Sequence, residues 1–81
     1  MAKSVFSSEY ETMLRLLKKR RKTAGITQIT IGDRLGMTQS AVSKVERGER
    51  RLDVVELRRW CRGLGISFVG FVGELDQALG K

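Results

Sequence analysis

The sequence predicts a single all-α domain built from five helices. Its 81 residues contain no proline, and the glycines fall mostly between segments in which apolar residues recur at helical spacing. Serine, threonine or aspartate opens each of these segments, as is typical of residues that cap helix N-termini. A chain of this length suffices for one small domain, so residues 1–81 are expected to fold as one unit.

Helix one is expected to start near Ser8, because residues 8–11 match the pattern of a capping box. It should end at about Ala24, since Gly25 follows as a helix stop. Arg21 falls inside the apolar stripe of this helix, and a charge in such a stripe needs a partner. The stripe is formed by Tyr10, Met13, Leu14, Leu17 and Ala24.

Two short helices are predicted next, each behind a threonine. Helix two should run from about Gln28 to Leu35 with Thr27 as its N-cap, and helix three from about residue 39 to 47 with Thr38 as its N-cap. The glycines that end them are Gly36 and Gly48. The two helices are therefore joined by a tight turn.

Helices four and five complete the predicted domain. Residues 53–56 form a second capping box and open helix four, which ends at the glycines in 63–65. Its buried side should carry Val54, Leu57, Trp60, Cys61 and Leu64. Helix five follows Ser67 and covers about residues 67–79. Its apolar residues at helical spacing are Phe68, Phe71, Val72, Leu75 and Leu79, with Val69 adding width.

Charge is distributed unevenly along the chain. Residues 1–62 carry 15 basic and 7 acidic side chains, a net charge of +8, whereas residues 63–81 carry one basic and two acidic, a net charge of −1, which together give +7. A concentrated positive face is typical of a protein that binds a polyanion, because binding releases condensed counterions. The alternative is a solubilising surface, and a nucleic-acid-binding motif would favour the first reading.

The residue types that are missing exclude several classes of function. The chain has no histidine and a single cysteine, Cys61, so it lacks the usual zinc ligands and the usual catalytic base. We therefore expect no enzyme, no metal and no cofactor. One cysteine cannot form an internal disulfide, and no apolar run is long enough for a signal peptide or a membrane helix. These features predict a reducing, cytoplasmic setting.

The predicted third helix has two distinct faces. Ala41, Val42 and Val45 fall on one arc, which should pack against the domain. The opposite arc is polar and suits contact with DNA, because amides, small hydroxyls and cations can pair with base edges and phosphates. Its members are Gln39, Ser40, Ser43, Lys44 and Arg47.

Residues 27–48 resemble the helix-turn-helix of the phage repressor and Cro class of DNA-binding domains, the XRE-like family. The resemblance rests on Thr27-Gln28, Ile31-Gly32 and the run from Leu35 to Gly48, and it continues through residues 53–67, so that it spans about residues 14–75. It implies a compact five-helix, lambda-repressor-like domain whose third helix lies in the major groove. It also implies binding to palindromic sites as a homodimer.

The same resemblance assigns roles to individual residues. It implies that Gln28 bonds a phosphate and braces Gln39, the first residue of helix three. The base-contacting set it implies is Gln39, Ser40, Ser43 and Lys44. The phosphate-contacting set is Gln28, Thr27, Thr38, Arg47, Arg50 and Arg51. Arg21 is expected to pair with Glu46, which also lies at the border of the packing arc of helix three.

The sequence departs from the family pattern at three positions. Gly32 stands where the family usually has alanine, at a cost of about 1 kcal/mol in helix propensity. Arg20 occupies a position that is more often apolar, and Leu52 replaces a proline common in the following loop. These changes leave the polar arc of helix three intact.

The apolar arc of helix five is wider than a single contact with the core requires. Exposed apolar surface beyond what the core needs is typical of a surface that binds a partner, so we expect self-association through this helix. The alternative is an ordinary helix that closes the core. The predicted dimer interface consists of Phe68, Val69, Phe71, Val72 and Leu75.

The sequence therefore predicts a double-stranded-DNA-binding transcriptional regulator, a bacterial or phage repressor that is nucleoid-associated when bound. Two alternatives remain. One is the antitoxin of a toxin-antitoxin pair, in which helix five binds the toxin through its apolar face and DNA binding is autoregulatory. The other is a restriction-modification controller protein. RNA binding is disfavoured because the chain lacks aromatic stacking platforms.

Overall fold

The computed structural model describes residues 7–80 and confirms the all-α architecture. Within these residues the chain forms α1 (Ser8–Thr23), α2 (Gln28–Leu35), α3 (Gln39–Glu46), α4 (Val54–Leu64) and α5 (Phe68–Leu79). The terminal residues 1–6 and 81 of the predicted domain lie outside the described part. No described helix has the length and apolar character needed to span a bilayer.

Side-chain caps fix the starts of the helices. Thr27 and Thr38 each accept a hydrogen bond from the backbone N–H three residues ahead, and Asp53 and Glu56 form the predicted capping box. The predicted start of α1 near Ser8 is confirmed, but its N-cap is Ser7 and not Ser8, so the cap was assigned one residue late. The Ser7 hydroxyl accepts from the Tyr10 N–H at 3.2 Å.

The helices pack around one apolar core. α2 lies against α3 and α4, and α1 lies against α3 and α5, while α4 and α5 contact each other. Two residues expected on buried faces are exposed. Ala24 is the C-cap of α1, and Val54 is the first residue of α4, where its side chain remains 65% exposed. The core consists of Met13, Leu14, Leu17, Ile31, Val42, Val45, Leu57, Trp60, Cys61, Leu64 and Phe71. Burial raises the pKa of the Cys61 thiol to about 11.

Glycine at position 32 is explained by the packing of the α2–α3 turn, which helix propensity does not reveal. The Met37 N–H donates to the Gly32 carbonyl at 2.8 Å, which draws the α2–α3 turn against α2. A Cβ atom at Gly32 would lie 2.5 Å from the Met37 carbonyl oxygen. The expected penalty for glycine at this position is therefore offset, because alanine would clash with backbone.

The outer face of α5 differs from the predicted dimer interface. Phe71 is 1% exposed and belongs to the core of the monomer, so its assignment to a partner surface was wrong. Phe68 and Leu75 are half-buried against the same core. Val69 and Val72 are 80% and 42% exposed. Helical periodicity could not separate these groups, since Phe71 and Val72 belong to the same predicted stripe and the contacts of α5 with α1 and α4 decide which of them is buried.

Candidate nucleic-acid interface

A buried ion pair joins α1 to the end of α3. Arg21 Nε donates to Glu46 Oε2 at 2.6 Å, and Arg21 Nη2 donates to Glu46 Oε1 at 3.1 Å. The side chains are only 8% and 5% exposed. A third donor, Arg21 Nη1, bonds the Ile26 carbonyl oxygen at 2.8 Å. The charge that the sequence places in the apolar stripe of α1 is thus paired, and it fixes α3 and the segment before α2 relative to α1.

Two glutamines extend this pair to the protein surface. Gln28 Nε2 donates to Glu46 Oε1 at 3.0 Å, and Gln39 Nε2 donates to Gln28 Oε1 at 3.3 Å. Gln28 is half-buried, whereas Gln39 is exposed. The first residues of α2 and α3 are therefore connected to the buried ion pair through one continuous series of hydrogen bonds, which we call the glutamine relay (Arg21, Glu46, Gln28 and Gln39).

The polar arc of α3 faces outward as its pattern indicates. Val42 and Val45 are fully buried. Gln39, Ser40 and Lys44 are exposed, and Ser43 is half-buried. The hydroxyls of Thr27 and Thr38 accept backbone N–H groups at the starts of α2 and α3. Both threonines are exposed, at helix N-termini whose positive dipole end favours an anion.

Arg47 follows α3 and makes contacts to its own chain. Its guanidinium forms two hydrogen bonds to the Glu49 carboxylate, at 2.9 and 3.2 Å, and it also donates to the Ser43 hydroxyl. The hydrogen bonds and charge of Glu49 raise the pKa of Arg47, and the same interactions lower the pKa of Glu49. Because both side chains are 54% exposed, this pair contributes little to stability.

The loop between α3 and α4 is held by a residue that the sequence did not single out for this role. Tyr10 Oη accepts a hydrogen bond from the Leu52 N–H at 2.9 Å, and the Arg51 guanidinium lies 4.5 Å from the centroid of the Tyr10 ring. Arg50 pairs with Glu56 at 3.7 Å. Since 42 residues separate Tyr10 from Leu52, no local pattern could indicate this contact.

Two further arginines connect the helices around the interface. Arg34, in the last turn of α2, donates to the Gly63 carbonyl in α4 at 2.7 Å, and this contact was also missed from the sequence. Arg20, the departure from an apolar position, lies 3.9 Å from Glu74 of α5. Within residues 7–80 there is no cluster of ligands suited to a metal ion.

Comparisons with known proteins agree with this geometry. A family model described as Helix-turn-helix matches residues 17–71. An uncharacterized HTH-type transcriptional regulator of Sinorhizobium fredii is 35% identical over 57 residues, covering 70% of this chain and 74% of the relative. An XRE-family like protein from Pseudomonas syringae pv. tomato is 42% identical, with a TM-score of 0.86 and coverage of 98% of this chain and 95% of that one. The restriction-modification controller protein C.Esp1396I is 26% identical, with a TM-score of 0.83 and coverage of 94% and 100%.

A pair of short helices joined by a tight turn, with the second presenting a polar face, defines a helix-turn-helix protein. The match over most of the chain makes the assignment specific. This chain belongs to the XRE-like helix-turn-helix family and is a DNA-binding transcriptional regulator.

Proposed function

We propose that the protein is a repressor that binds a short palindromic operator as a homodimer, with α3 in the major groove. Gln39, Ser40, Ser43 and Lys44 contact base edges in this proposal. The phosphate contacts come from the starts of α2 and α3 and from the loop after α3, and they comprise Gln28, Thr27, Thr38, Arg47, Arg50 and Arg51.

The observation that carries the proposal is the placement of Gln39. Its side chain is exposed at the N-terminus of α3 and is hydrogen-bonded through Gln28 to a buried ion pair. A base-contacting side chain that is already held by a hydrogen bond loses less rotamer freedom when it binds a base. Lys44 extends the same face with a positive charge, which favours a polyanion.

Selection of bound duplexes from a random pool tests the proposal. It should return sites with two-fold symmetry whose half-sites have a fixed separation. On the selected duplex, Gln39→Ala should lose about 1–3 kcal/mol of binding free energy for each half-site. Its affinity for unrelated DNA should stay close to that of the wild type. An equal loss on both kinds of DNA would show that Gln39 does not read a base.

The homodimer is proposed to form through the outer face of α5. Val69 is 80% exposed and Val72 is 42% exposed, and both lie among the first six residues of α5, which carry no charge. The half-buried Phe68 and Leu75 border these valines along the same helix. Phe71 supports this face from within the core instead of contacting the partner.

A matched pair of variants tests the dimer surface. Val69 and Val54 both lie in the first turn of a helix and are both strongly exposed, at 80% and 65%. A glutamate is compatible with either position, because acidic residues are favoured near helix N-termini. In sedimentation at micromolar concentration, Val69→Glu should dissociate the dimer, whereas Val54→Glu should not. A wild-type protein that sediments as a monomer up to high concentration would refute the assignment.

A second candidate, within the class of regulators, is a restriction-modification controller. It is favoured by the similarity of this fold to C.Esp1396I over almost the full length of both chains. A nuclease or methyltransferase gene beside the gene for this chain, with selected operators in its promoter, would support this candidate. A different set of neighbouring genes would leave the repressor proposal in place and remove this one.

A further inference from the structure

We propose that Glu46 sets the base preference of α3, by fixing which end of each amide in the glutamine relay faces outward. The proposal rests on the reading role proposed for Gln39. It adds Glu46 as a positioning residue that acts through Gln28 without contacting DNA.

The contact with Glu46 fixes the orientation of the Gln28 amide. Glu46 receives two N–H groups from Arg21 and, as an ionised carboxylate, can only accept hydrogen bonds. The Gln28 group that lies 3.0 Å from Glu46 Oε1 must therefore be its NH₂. The oxygen of the same amide then faces the other way, toward Gln39.

The Gln28 amide in turn fixes the orientation of the Gln39 amide. The Gln28 oxygen accepts hydrogen bonds and cannot donate, so Gln39 must direct its NH₂ group toward Gln28, at a distance of 3.3 Å. One N–H of Gln39 is used in this contact. The groups left for DNA are its second N–H and its carbonyl oxygen, which form one donor beside one acceptor.

A donor beside an acceptor matches adenine in the major groove. Adenine offers N7 as an acceptor and N6 as a donor, whereas guanine offers two acceptors, N7 and O6. With the relay in the observed orientation, the outward carbonyl of Gln39 would face O6 of guanine without a hydrogen bond. If the relay were reversed, Gln39 would accept from Gln28 and direct both N–H groups outward, which would suit guanine.

Three variants separate this role from a merely structural one. Gln28→Met keeps the length of the side chain but cannot orient Gln39. Glu46→Gln leaves one Arg21 N–H without an acceptor; with its oxygen on Arg21 Nε and its NH₂ group in the place of Oε1, it would donate to Gln28 and reverse both amides. Gln77→Met changes the exposed glutamine of α5 and is the matched control.

The measurement is binding by fluorescence anisotropy to the selected duplex and to a second duplex in which the base read by Gln39 is changed from adenine to guanine. That position is identified as the one whose preference Gln39→Ala loses. The wild type should prefer adenine by about tenfold or more. Gln28→Met should lose most of this preference while Gln77→Met keeps it, and a folded Glu46→Gln should shift toward guanine.

Each outcome bears on the proposal. Circular dichroism shows whether Glu46→Gln is folded. A folded Glu46→Gln that keeps the adenine preference of the wild type would overturn the role of Glu46; if this variant is not folded, Gln28→Met decides whether the amide through which Glu46 acts sets the preference. An unchanged adenine preference in Gln28→Met would overturn the inference, and so would a wild type that selects guanine at the position read by Gln39. Both results leave the proposed function intact. A wild type that selects no duplex at all would instead refute the proposed function.

Discussion

Replacing Gly32 by alanine separates helix propensity from packing at the α2–α3 turn. Alanine gains about 1 kcal/mol over glycine inside a helix. The added Cβ would lie 2.5 Å from the Met37 carbonyl oxygen, which is held in place by the hydrogen bond from the Met37 N–H to the Gly32 carbonyl. Overpacking of a rigid site costs about 1–3 kcal/mol, and a backbone obstacle belongs at the upper end of that range. We expect a net loss of about 1–2 kcal/mol.

Gly73→Ala provides the matched control, because no atom lies within 4 Å of a Cβ built at Gly73 in α5. It should gain about 1 kcal/mol and raise the Tm by about 4–8 °C. Gly32→Ala should lower the Tm by about 4–16 °C. Thermal unfolding followed by circular dichroism at several protein concentrations excludes effects of association through α5. If Gly32→Ala is as stabilising as Gly73→Ala, the close approach of the turn to α2 is not a constraint on this sequence.

Three other substitutions test individual contacts of the interface. Glu46→Ala leaves a buried guanidinium without its carboxylate and should lower the free energy of unfolding by about 3–5 kcal/mol; an unchanged Tm would contradict this. Tyr10→Phe keeps the ring but removes the acceptor of the Leu52 N–H, at a cost of about 1–3 kcal/mol. It should weaken binding to all duplexes equally, and a change in base preference would count against a loop-anchoring role. Glu49→Gln weakens the hydrogen bonding of Arg47 to residue 49 and removes a negative charge beside it. Affinity for any duplex should rise about twofold at low salt, the effect of one unit charge about 8 Å away in water, and anisotropy titrations that show no gain would refute it.

The starts of the helices could be predicted because capping chemistry is local. Thr27, Thr38, Asp53 and Ser67 each bond a backbone N–H three residues ahead, and the sequence shows both partners. At α1 two serines follow each other, so the pattern identified the cap only to within one residue. Ser7 has the extended backbone that an N-cap needs, and Ser8 is already helical.

The faces of the helices were predicted less well, because burial depends on neighbours that the sequence does not show. The apolar pattern of α5 does not reveal that Phe71 is buried while Val72 is 42% exposed, since both belong to the same predicted stripe. The contacts of Tyr10 with Leu52 and of Arg34 with Gly63 join residues 42 and 29 positions apart. Only the packing of α1 and α4 around the motif brings these partners together.

The energetics of the Arg21–Glu46 pair favour a role beyond stability. Removing one partner of a buried ion pair is costly, but replacing both partners by apolar residues of similar volume is often neutral or stabilising. An apolar pair could therefore hold α1 against α3 equally well. It could not accept the N–H of Gln28 at 3.0 Å, and the amide of Gln28 would then be free to turn toward Gln39 with either end. The carboxylate fixes the orientation of the Gln28 amide, which apolar packing cannot do. The Gln28 amide in turn fixes the orientation of Gln39, the first side chain of α3.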